Sequence, residues 1–135
     1  MDVLSIVVIV VLALAAIQLA FRLAAGRGAS RVRGRPLPDD PLFAVHRERP
    51  AFLIYFFSPR CAACRRMFAV LRRIADRGYP LVEVDVSRHA GSAKALGVLA
   101  TPTTIVVRDG LVFDSLIGTQ SEAVLAQALG AASPD

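Results

Sequence analysis

Nineteen consecutive positions, Val3 to Phe21, carry only two polar side chains, Ser5 and Gln18, and no charge. As a helix rising about 1.5 Å per residue they reach roughly 28 Å, close to the ~30 Å hydrocarbon core of a bilayer. The pattern predicts one transmembrane helix over residues 1–21. A cleavable signal peptide is the competing reading, since Ala13-Leu14-Ala15 has the small residues of a cleavage site, but the Met1-Asp2 start lacks basic residues. Residues 22–38 then lose all hydrophobic period and turn rich in Gly, Arg and Pro, the composition of a basic linker.

From Asp39 the periodicity returns, and residues 39–135 are expected to form the compact domain. Asp40 as N-cap and Pro41 at the first helical position open a short helix that ends before Pro50. Ala51 to Phe57 is continuously apolar and aromatic, as a central strand covered on both faces reads. After Ser58-Pro59-Arg60, apolar residues at 64, 67, 68, 71, 74 and 75 follow the spacing of one buried helical face, stopped by Gly78 and Pro80. A strand over Leu81 to Val86 and a short helix over Ala93 to Leu96 come next. Strands Thr103 to Val107 and Leu111 to Leu116 flank the hairpin signal Asp109-Gly110. Ser121 caps a last helix ended by Gly130. The expected fold class is α/β: a mixed four-stranded sheet with helices on both faces, preceded by the transmembrane helix.

Composition sharpens this division. The mean hydropathy of +0.54 and formal charge of +5 suggest an unusual protein throughout. Both are local. Arg22, Arg27, Arg31, Arg33 and Arg35 follow the apolar run, and setting them aside leaves 11 basic against 11 acidic residues. The basic balance therefore reports a stretch beside the bilayer, not a nucleic-acid-binding surface. With no basic side chain before the apolar run, flanking charge places the domain in the cytoplasm of a single-pass membrane protein. The extracytoplasmic face is the alternative, because one small domain can be exported despite such charges. The arginines are also placed to meet anionic head groups.

Only two cysteines are present, and they stand three apart in Cys61-Ala62-Ala63-Cys64. A strand-to-helix junction puts Cys61 at a helix N-terminus, where unpaired N–H groups and the helix dipole favour a thiolate. Arg60, Arg65 and Arg66 add positive charge. Cys64, one turn on, begins the buried face. Cys61 is thus the attacking sulfur and Cys64 the resolving one. Half of a zinc site shared between two chains, or two inert core thiols, are the bland alternatives. His46 and His89 stand at unrelated spacings, so no metal is expected. No cofactor is needed either, because the two sulfurs are themselves a redox centre. Arg65, Arg66, Arg72, Arg73 and Arg77 fall opposite the apolar stripe and read as a solvated face, with docking to an acidic partner or to head groups as the alternative.

With these elements in place, Phe52 to Gly130 resembles the thioredoxin superfamily: the apolar strand into Cys-x-x-Cys, Val84-Asp85-Val86, Ala93 to Val98, Thr101-Pro102-Thr103, and the hairpin at Asp109-Gly110. The resemblance implies a thioredoxin-like domain in which Pro102 is cis and packs against the dithiol. It also implies that the backbone at Thr101 pairs with an extended substrate segment. Arg60 stands where the family usually has Trp, and is expected beside the substrate. Tyr55 stands where it often has a buried acid, which leaves the proton of Cys64 without an acceptor unless Glu83 on the neighbouring strand serves. Ala62-Ala63 matches neither reducing nor oxidising members, so the direction of net electron flow stays open. Phe57-Ser58-Pro59-Arg60-Cys61 with Cys64-Arg65-Arg66 is also similar, locally, to membrane-anchored accessory proteins of methylamine dehydrogenase maturation.

The resemblance implies a membrane-anchored thiol-disulfide oxidoreductase with catalytic Cys61 and Cys64. Its expected partners are protein substrates with thiols or disulfides, a dithiol reductase or oxidase, and the bilayer through residues 3–21, with no nucleic acid. A membrane-tethered binding or assembly module with a vestigial dithiol is the alternative.

Overall fold

The computed structural model describes residues 1–130, apart from the side chains at 25, 26 and 28–30; the last five positions of the expected domain, 131–135, lie outside the described residues. Among the described residues, five helices and four strands follow in the order α1 (Val3–Val32), α2 (Pro41–Ala44), β1 (Ala51–Phe57), α3 (Ala62–Asp76), β2 (Leu81–Asp85), α4 (Ala90–Ala95), β3 (Thr103–Arg108), β4 (Leu111–Ile117) and α5 (Glu122–Ala128). The sheet runs β2-β1-β3-β4, with β1 parallel to β2 and the other two pairings antiparallel.

β1 is central because it is apolar on both sides. Phe52 through Phe56 are at most 1% exposed. Alternation along the strand sends Phe52, Ile54 and Phe56 into one core with Phe43, Val84, Leu96, Ile105 and Val107. Leu53 and Tyr55 enter the other, with Cys64, Met67, Leu71, Ile74 and Leu125. At roughly 1.5–3 kcal/mol per fully buried large apolar side chain, this one strand anchors both layers. The ends are set locally. Asp40 caps α2 by accepting from the Leu42 N–H at 3.0 Å and also accepts the Ser92 hydroxyl of α4, while Ser121 caps α5. Asp109 and Gly110 turn the β3–β4 hairpin at φ 52° and 76°, the left-handed pair a two-residue hairpin requires.

The segment between the apolar helix and the domain differs from the expected linker. α1 does not stop near residue 21 but continues to Val32, and residues 33–37 then lie along the outer edge of β4. Gly34 N–H donates to Val112 C=O at 2.7 Å, Val112 N–H to Arg35 C=O at 2.9 Å, and Leu37 N–H to Gly110 C=O at 3.0 Å. Val32 and Leu37 are buried, and Arg33 pairs with Asp114 at 2.7 Å. The physical reason is an open edge: β4 presents unpaired backbone groups that the tether satisfies. α4 also begins earlier than expected, at Ala90 rather than Ala93. Within α1, Val3–Ala24 has the length and apolarity of a membrane span, 22 residues containing an 18-residue stretch of mean hydropathy 2.9, none of which is buried in the protein.

Candidate redox site at the start of α3

The site grows from the end of β1. Phe57 leads into a tight turn in which Cys61 N–H donates to Ser58 C=O at 3.1 Å, and Cys61 becomes the N-cap of α3 with extended backbone. An N-cap side chain normally offers oxygen to a free N–H of the first turn. Here sulfur does so, with Cys61 Sγ accepting from the Cys64 N–H at 3.1 Å. The two cysteines are joined as a disulfide, their Cα atoms 5.2 Å apart. Cys64 is 5% exposed whereas Cys61 is half-buried, so Cys61 is the more accessible sulfur.

A cavity of about 290 Å³ opens beside the pair, walled by Tyr55, Phe57, Phe68 and both cysteines, with Arg65 contributing its long side chain. Tyr55 and Phe57 stack with ring centroids 5.7 Å apart, and the Arg72 guanidinium lies over the Phe68 ring at 5.0 Å. The Tyr55 hydroxyl donates to the Cys64 carbonyl at 2.7 Å. Burial, and then the negative charge of Glu83 beside it in register, pushes the Tyr55 phenol up to about 12. It is therefore a neutral donor at ordinary pH that fixes the first turn of α3, not an acceptor for the Cys64 proton.

Thr101-Pro102 is a cis peptide bond; Pro102 is buried and Thr101 half-buried. Pro102 C=O accepts from Gly118 N–H at 2.8 Å, which ties this loop to the end of β4. Thr101 lines a second groove of about 460 Å³ with Ser58, Val86, Lys94, Val98 and Leu99. Ser58 borders both cavities, so the structure brings Thr101 and the cysteine turn to the same end of the sheet. Arg60 is exposed and lines neither cavity. Phe57 and Phe68 form the apolar wall that sequence reasoning assigned only to the core; their i, i+11 relation crosses from strand to helix and leaves no periodic signature. The arginines along this helix are partly engaged: Arg73 of α3 and Arg77 at its C-cap both pair with Glu122 of α5.

The comparisons with known proteins agree with this geometry. The thioredoxin family model matches residues 43–131, and the chain belongs to that family. Among curated proteins it is similar to a "Disulfide bond formation protein" of Brevibacillus choshinensis, 38% identical over 54% of this chain and 65% of that protein. It is also similar to "Putative thioredoxin H10" of Arabidopsis thaliana, 32% identical over 62% of this chain and 55% of that one. The chain thus spans less than two thirds of either relative. Among solved structures, a point mutant of the thioredoxin from Halobacterium salinarum NRC-1 superposes with a TM-score of 0.62 at 25% identity, covering 65% of this chain and 79% of that one.

Proposed function

We propose that this protein is a membrane-anchored thiol-disulfide oxidoreductase acting on protein substrates. The observation that carries the reading is the Cys61–Cys64 pair at the α3 N-terminus, with Cys61 as accessible N-cap sulfur and Cys64 shielded beneath it. In the reduced protein, the Cys61 thiolate attacks one sulfur of a substrate disulfide. A Cys61–substrate bond forms and the other substrate sulfur leaves as thiolate, taking a proton from solvent. Cys64 then attacks Cys61 Sγ as its proton passes to the departing sulfur, so that the mixed disulfide breaks and the second substrate sulfur is released as a thiol. Two electrons have passed to the substrate, and the protein rests in the disulfide form seen here. The reverse sequence oxidises a substrate dithiol, and a second dithiol or disulfide protein resets the pair.

Thr101 and Pro102 border the substrate path, with the Thr101 backbone edge available to an extended segment. Arg60, at the exposed tip of the cysteine turn, meets the substrate from outside. Val3–Ala24 crosses the bilayer, and flanking charge puts the domain on the cytoplasmic side. The full chain in detergent should accelerate insulin reduction by dithiothreitol, and Cys61→Ala should abolish the acceleration. A wild-type chain no faster than dithiothreitol alone would favour the binding-module reading. A membrane-impermeant thiol reagent should label Cys61 only after cells are permeabilised; labelling in intact cells would place the domain outside.

A further inference from the structure

The described residues hold a third cavity, of about 470 Å³, between the end of α1 and α4; it shares Lys94 and Leu99 with the groove of Thr101, and neither cysteine lines it. Arg27, Arg31 and Arg35 come from α1 and the tether, Lys94 from α4, with Val32 and Leu99 among its apolar residues; among the described residues no acidic side chain lines it. Among the described residues, Arg31, Arg35 and Lys94 pair with no carboxylate, unlike Arg33, Arg73 and Arg77. Arg31, Arg35 and Lys94, converging without a counter-ion among the described residues, repel one another, and an anion between them removes that cost.

Its position names the anion. This step rests on the reading of α1 as a membrane span. Arg27 follows Ala24 by three residues, about 4.5 Å along the helix, and Arg31 by about 10 Å. The headgroup layer is roughly 5–7 Å deep on each side of the hydrocarbon core. Arg27 therefore sits within that layer, and the long side chain of Arg31, leaning back toward the helix N-terminus as helical side chains do, is directed at its outer edge. The cavity borders the lipid phosphates, and the paired tether holds it there: Arg35 C=O is bonded to Val112 N–H, and Val32 is buried in the domain. Arginine forks suit phosphate oxygens, and a lysine from the far wall closes the set. We infer that this cavity binds the phosphate headgroup of an anionic phospholipid and so fixes the domain against the membrane surface.

The test uses the full chain reconstituted into phosphatidylcholine vesicles containing a minor fraction of phosphatidylglycerol, with lipid retained on the protein counted by native mass spectrometry. Vesicle flotation is read in parallel. Retention of phosphatidylglycerol over phosphatidylcholine is expected, falling about fivefold in Lys94→Gln and likewise in Arg31→Gln or Arg35→Gln. Arg49→Gln, exposed elsewhere, should leave it unchanged. Loss in the arginine variants with none in Lys94→Gln would overturn the cavity in favour of general attraction along the tether. Lys94-dependent binding of inorganic phosphate in detergent, without retained lipid, would overturn the lipid source. Failure of the wild-type chain to float with vesicles would overturn the membrane span itself and this inference with it.

Discussion

The two faces of β1 receive neighbouring residues of one strand and put them to different use. The face of Phe52, Ile54 and Phe56 is built from hydrocarbon, with Val32 of α1 and Leu37 of the tether sealed into it. The face of Leu53 and Tyr55 carries a phenol and both sulfurs beneath α3 and α5. The end of α1 and the segment after it thus grip the layer opposite the dithiol, which leaves the start of α3 free to meet another protein. The difference teaches that stability and chemistry are separable here: one layer supplies mostly cohesion, the other presents a reactive pair at its rim.

Substitutions can break that division, and the largest effect should come from the hydrocarbon layer. Phe56→Ala should cost about 3–5 kcal/mol in urea unfolding, a large part of the roughly 5–15 kcal/mol of a typical domain. Insulin turnover per folded molecule should stay unchanged; a fall would show that the layers are not separable. Leu37→Ala, at the tether seam, should cost about 2 kcal/mol and raise protease cleavage around residues 33–37.

Tyr55→Phe tests the other face. Loss of the bond to the Cys64 carbonyl should cost about 1 kcal/mol. It should also alter the pH profile. The folded phenol is raised to about 12 from an ordinary 10.0, so the stability it contributes is full below pH 10.0 and is lost as pH climbs through about 12. Urea midpoints over that window should fall in the wild type and fall less in Tyr55→Phe. Smallest should be Arg33→Ala, which removes a partly exposed pair with Asp114 worth less than about 1 kcal/mol.

Much of this was legible because local chemistry and global fold agree. The apolar run of β1 has the same limits, Ala51 and Phe57, in sequence and structure. The stripe through Cys64, Met67, Leu71 and Ile74 is the buried side of α3, and Asp109-Gly110 turns as its residue types require. The tether was not legible. Its glycines and arginines carry no period, and its pairing with β4 is made by backbone groups that any side chains permit. At the site, the position of Cys61 as N-cap follows from the strand-to-helix junction. The bond from Tyr55 to the Cys64 carbonyl does not, since it depends on how closely β1 and α3 approach across the core.

The central claim is that Cys61 attacks and Cys64 resolves. The direct measurement is to mix reduced full-length Cys64→Ala and Cys61→Ala chains with a peptide disulfide, and to map covalent adducts by non-reducing electrophoresis and mass spectrometry. The Cys64→Ala chain should accumulate a stable mixed disulfide at Cys61, while the Cys61→Ala chain, its remaining sulfur shielded, should form almost none. Equal adduct formation by both variants, or adducts at Cys64 alone, would contradict the assignment.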